Sequence, residues 1–134
     1  MMKIALGPVQ YYWDRNTLTE FYARAVETPV DIIYLGETVC SKRRAMSAAD
    51  WIALAQDIAA TGKEVVLSTL ALIEAESEIS YARSLLEKFP GMVEANDYAV
   101  VQMAQQLQRP ICAGATLNLY NPAALQALVQ CGVT

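Results

Sequence analysis

The sequence predicts an α/β protein made of parallel β/α repeats, about five units of an incomplete TIM-type barrel. Three observations carry this. β-rich runs alternate with longer runs of helical periodicity, and strand beginnings recur about every 20 to 35 residues, the period of a β-α-β unit. The strand runs are continuously apolar rather than alternating, as in a parallel sheet covered on both faces. No G-x-G-x-x-G or G-x-x-x-x-G-K-S/T follows the first strand, which removes the usual nucleotide-binding signature of a doubly wound sheet. An open flavodoxin-like sheet remains the alternative.

In order along the chain, "KIALGPV" (3–9) reads as the first strand. The helix over 16–28 follows, with Leu18, Phe21, Tyr22, Ala25 and Val26 at helical spacing. Thr17 with Glu20 forms a capping-box pattern at its start. "DIIYLG" (31–36) is the second strand. A helix over 47–62 begins at a Ser47/Asp50 cap and closes at Gly62. "EVVLSTL" (64–70) is the third strand, and the helix over 75–91 is stopped by Pro90-Gly91. "MVEAN" (92–96) precedes a helix over 97–108, and "PICAGATLNLY" (110–120) is the fifth strand. Asn121 then caps a helix with Pro122 at its first position. The final "VT" reads as the start of a sixth strand.

Residues 1–134 are therefore expected to form a single α/β domain. Five units are too few to close a barrel of eight, so the chain reads as the amino-terminal portion of a longer barrel protein. Its exposed sheet edges would favour self-association.

Composition narrows the function. Hydrophobic content of 54% with 18% charged residues is that of a globular chain. A net charge of -4 gives no overall basic field for nucleic acid. The longest apolar stretch, "VVLSTLALI", is roughly half a membrane span. The start has no signal-type cleavage site, so a cytoplasmic location is expected. With no His, a Ser-His-Asp triad and an H-E-x-x-H zinc site are both impossible. Three Cys, none spaced as C-x-x-C, argue against a disulfide framework.

Chemistry in parallel α/β folds collects at the carboxyl ends of the strands. Those ends offer Tyr11, Tyr12 and Trp13; then Glu37, Cys40, Lys42, Arg43 and Arg44; then Ser68 and Thr69; then Glu94, Asn96 and Asp97; and finally Asn118, Tyr120 and Asn121. Cys40 would be a rim thiol beside three cations, an environment that favours thiolate. The cations would grip an anionic substrate or simply solvate a loop paired to Glu37 and Asp50. Glu37 and Glu94 are candidates for an acid/base pair. Cys112 and Cys131 are expected on the far side of the sheet, with Cys112 about one strand length, ~17 Å, from the rim. Both read as small apolar packing.

The segments "LGPVQYYW", "DIIYLGETVCSKRR", "DWIALAQDIAATGKEVVLSTLALI", "VEANDYAVV" and "AGATLNLYN", in this order, resemble the amino-terminal part of the ubiquinone-biosynthesis branch of the collagenase-like U-class peptidase family. "GETVCSKRR" is the most specific piece, and the likeness covers essentially the whole chain. It implies a TIM-barrel-like core and a role, with a UbiU-like partner, in oxygen-independent hydroxylation of a ubiquinone ring precursor during anaerobic ubiquinone biosynthesis. It also implies a 4Fe–4S cluster held by four Cys. The first of these falls on Cys40, and the other three would lie beyond Thr134. Alone, the chain would then lack both the cluster and the activity.

Glu37, Lys42, Arg43, Arg44 and Asn118 are the substrate or second-layer candidates beside that metal ligand. The stretch "GATLNLYN" departs from close relatives by lacking a His and a Cys. Alternatives are a peptidase-like or RNA-modification-associated member of the same family, or a non-catalytic interaction module.

Overall fold

The computed structural model describes residues 1–134. Five strands, β1 (Ala5–Leu6), β2 (Ile32–Leu35), β3 (Glu64–Ser68), β4 (Met92–Ala95) and β5 (Ile111–Ala113), alternate with five helices. These are α1 (Arg15–Val26), α2 (Ala48–Ala59), α3 (Glu76–Lys88), α4 (Tyr98–Gln106) and α5 (Pro122–Gln130). Every pairing is parallel, and the strands lie side by side in chain order in one open sheet. Chain order is that of a barrel wall; a flavodoxin-like sheet would set its second strand outside the first.

This order decides where the core sits. Right-handed crossovers between successive neighbours put their helices on the same side of the sheet. α1 meets α2, α2 meets α3 and α3 meets α4, as in one continuous layer. The register aligns Leu6–Ile33–Val65 and Leu35–Leu67–Val93–Ile111 on the helix side. Apart from the half-buried edge residue Leu6, these side chains are buried, and they join Leu18 and Tyr22 of α1, Ala55 and Ile58 of α2, Leu85 and Leu86 of α3 and Val100 of α4 in one cluster. Tyr22 also packs edge-to-face between Phe21 and Trp51. The other face, away from the α1–α4 layer, carries Ile32, Tyr34, Val66, Ser68, Met92, Glu94 and Cys112; Val66 and Ser68 are buried there and the other five are half-buried.

Local chemistry explains most element ends. The Ser47/Asp50 capping box is formed, with the Ser47 N–H donating to Asp50 at 2.9 Å and the Asp50 N–H to Ser47 Oγ at 3.2 Å. Asn121 Oδ1 accepts from the Ala124 N–H at 2.8 Å, and Phe89 turns extended ahead of Pro90.

Other ends differ from expectation. α1 is capped by Asp14, whose carboxylate accepts from the Thr17 N–H at 3.0 Å and the Thr17 hydroxyl at 2.9 Å. Thr17 is thus the third helical residue and not the cap, because the charged Asp14 is the stronger acceptor. The predicted fifth strand over 110–120 ends at Ala113 and gives way to a 3-10 turn, Ala115–Leu117. A Cβ on Gly114 would overlap Asn96 Oδ1, so the backbone there runs against the Asn96 side chain and leaves the ladder. Asn118 then adopts a left-handed φ of 55°.

The first strand is also shorter than 3–9: it spans Ala5–Leu6 and stops ahead of Pro8, which has no N–H to give. Val133 forms one parallel bridge to Ile111, where a sixth strand would begin. No helix is long and apolar enough to cross a membrane.

Candidate functional site

The loop leaving β2 starts at Gly36, whose φ of 138° belongs to glycine. A Cβ there would run into the Ser68 carbonyl of β3. Glu37 then folds back on its own loop: its Oε1 accepts from the Val39 N–H at 3.2 Å and the Cys40 N–H at 3.3 Å. The Arg43 N–H closes a turn on the Cys40 carbonyl at 3.1 Å. Cys40 is thereby held, half-buried and unpaired, at the carboxyl rim of the sheet.

The three cations are not paired as the solvated-loop reading expects. Asp50 takes Arg15 at 2.7 Å, and the other ion pair joins Lys3 to Glu64 at 2.6 Å. Neither Glu37 nor Asp50 pairs with Lys42, Arg43 or Arg44. The capping box already orients Asp50 toward the α1 side, within reach of Arg15. Arg43 donates to the Gln10 carbonyl at 3.3 Å, tying the loop to the one after β1. Arg44 donates to the Ser41 carbonyl at 3.2 Å and to Ser77 Oγ at 3.4 Å, and has no carboxylate at ion-pair distance.

Between this loop and the start of α3 lies a cleft of about 360 Å³. Glu37, Ser41, Arg44, Ser77, Glu78 and Tyr81 supply its polar wall, and Met46 and Leu70 are among its apolar residues. Glu78 Oε2 accepts from the N–H groups of Glu74 at 2.6 Å and Ala75 at 3.1 Å. The Ser41 hydroxyl, followed by these amides, holds its carboxyl below the ordinary value. The Tyr81 hydroxyl is buried and has no hydrogen-bond partner. Burial, and next the Glu37 carboxylate, push its pKa up, so it stays protonated.

A second polar group lies on the uncovered sheet face. Ser68, Glu94 and Cys112 are register neighbours across β3, β4 and β5. Cys112 is half-buried, and burial, with the Glu94 carboxylate second, pushes its thiol up to about 11. Tyr34 is raised as well, by burial and then by Cys112 and Glu94. Asn96 donates from Nδ2 to Glu94 Oε2 and to the Thr69 carbonyl, both at 3.0 Å, and accepts from Thr116 Oγ1 at 3.1 Å. This position corrects the expectation for Cys112. Because β5 is only three residues long, its middle residue lies near the rim, and its neighbour there is a carboxylate rather than an apolar core. Cys131, at the end of α5, does pack against the core.

The remaining sequence candidates scatter. Glu37 and Glu94 share no hydrogen-bond partner. Trp13 packs edge-to-face on Phe21 at 5.2 Å while Tyr11 and Tyr12 are exposed. The recess they border, about 10 Å³, holds at most a water. Asn118 accepts from the Tyr120 hydroxyl at 3.1 Å and is absent from the cleft. Ser41, Ser77, Tyr81 and Tyr34 escaped sequence reading. Tyr81 sits at an apolar helical position and Tyr34 in an apolar run, so each reads as core. No protein-family model matches the sequence.

Proposed function

We propose that this chain is the amino-terminal, Cys40-bearing part of a UbiV-like iron–sulfur protein that works with a UbiU-like partner in the oxygen-independent hydroxylation of a ubiquinone ring precursor. The observation that carries the reading is the presentation of Cys40. Cys40 stands at the carboxyl rim on a loop pinned by Glu37, in a segment whose three cations make no ion pair.

The donor set of this chain alone does not fit a four-thiolate cluster. Its three Cys lie on the β2 rim loop, on β5 and at the end of α5, and no three potential ligands converge. Cys40 would therefore be one corner of a site completed by thiolates from outside residues 1–134. Alone, the chain is inactive in this reaction.

The test is assembly without oxygen from two pieces: this chain and the carboxyl-terminal half of a UbiV-like protein. Iron and acid-labile sulfide should reach about four of each per complex, and Cys40→Ala in this chain should remove them while circular dichroism stays unchanged. Full iron content in the Cys40→Ala complex would end the reading.

A further inference from the structure

The cleft beside the Cys40 loop is a second, separate site, and we infer that it binds a small organic monocarboxylate through Arg44 and Tyr81, with the apolar body of that ligand on Met46 and Leu70. The volume, about 360 Å³, falls at the lower end of small-ligand pockets. Its wall holds three ionised side chains, and their commitments differ. Glu78 is engaged by two backbone amides at 2.6 and 3.1 Å, and Ser41 and Arg44 both act to lower its pKa. Glu37 is engaged by the amides of Val39 and Cys40. Arg44 gives only long contacts to one carbonyl and one hydroxyl, which leaves most of its planar fork of donors unused.

Tyr81 supplies an independent sign of a missing partner. Its hydroxyl is buried without any acceptor or donor, a state that native proteins rarely leave unanswered. Arg44, Glu37 and Tyr81 line the same cleft. A carboxylate accepting from the Arg44 guanidinium and the Tyr81 hydroxyl would satisfy both groups at once.

The same wall limits the charge of the ligand. Two carboxylates and one guanidinium line the cleft, so a dianion such as phosphate is repelled more strongly than a monoanion that accepts from Arg44. Met46 is buried and Leu70 is 4% exposed, so the floor of the cleft is apolar and suits a hydrocarbon body.

The experiment titrates the intact ¹⁵N-labelled chain with benzoate, benzamide, benzylamine and inorganic phosphate, following the Arg44 side-chain Nε–H and the Ser77 amide by NMR. Benzoate should move both signals and saturate at a concentration on the order of millimolar, with the other three weaker by roughly tenfold or more. Arg44→Met should weaken benzoate roughly tenfold or more, and Tyr81→Phe about fivefold, as expected for loss of a charged and a neutral hydrogen bond. Arg44 is exposed, and Tyr81→Phe keeps the ring, so both variants keep the fold.

Equal binding of benzamide, a preference for phosphate, shifts confined to another part of the chain, an unaffected Arg44→Met variant or no shift by ~20 mM benzoate would each overturn the proposal. Iron plays no part in the readout, so this proposal stands or falls apart from the cluster reading.

Discussion

The two faces of the sheet are built from the same five strands and are chemically unlike. On the helix side, Ile33, Leu35, Leu67, Val93 and Ile111 are all 0% exposed, and each touches another aliphatic residue in register. On the other side the rows read Tyr34–Val66–Met92 and Ser68–Glu94–Cys112. One face is specified by packing alone. The other keeps a carboxylate, a thiol and a phenol close together, and Asn96 and Thr116 hold Glu94 in a hydrogen-bond network. Burial of unlike polar groups costs free energy unless they are partnered. The uncovered face therefore holds the polar groups of the sheet, and the helix layer is where the fold gains stability.

The largest effect should come from breaking the packed face. Leu67→Ala removes a fully buried side chain at the centre of the longer row and should lower unfolding stability by about 2–5 kcal/mol in urea melts. Gly114→Ala comes next, at about 1–3 kcal/mol, since the new methyl must displace Asn96 from its bonds to Glu94 and Thr116. Met92→Ala, on the uncovered face, should cost only ~1 kcal/mol because Met92 is half-exposed. Equal losses for Leu67→Ala and Met92→Ala would erase the contrast between faces.

The last effect is on reactivity rather than stability. With its thiol raised to about 11, Cys112 should react with iodoacetamide at pH ~8 roughly a hundredfold more slowly than a free cysteine. Its rate should climb about tenfold per pH unit toward pH ~10, since only the thiolate attacks. Mass spectrometry of the labelled peptide reads this directly. Free-cysteine reactivity at Cys112 would mean that the uncovered face is wetter than the Tyr34–Glu94–Cys112 grouping implies.

Much of this was legible in the sequence because it rests on local rules. Continuous apolar runs gave the parallel strands, and Ser47 and Asn121 gave the starts of α2 and α5. Glu37, Cys40, Lys42, Arg43 and Arg44 do share one rim loop. What escaped depends on contacts between distant residues. The end of β5 is set by Asn96 against Gly114, eighteen positions apart in the chain, and no local pattern in "PICAGATLNLY" marks it. Asp50 looked available to the cationic loop because nothing near it in sequence announces Arg15, 35 positions away. Tyr81 looked like core because it packs against the core; nothing in the sequence marks its hydroxyl as buried without a partner in a residue that lines a cleft.

The chain-order arrangement of the strands has a consequence for how the molecule comes apart. Each β/α unit leans mainly on the units before and after it, so cooperativity passes from neighbour to neighbour, as in a linear array, rather than through one shared centre. β3 is flanked by two strands on each side, whereas the outer edge of β1 is bare and that of β5 carries one bridge. Amide protection should therefore be deepest along Val65–Leu67 and shallow at Ala5 and Ala113, with opening that starts at either margin and travels inward.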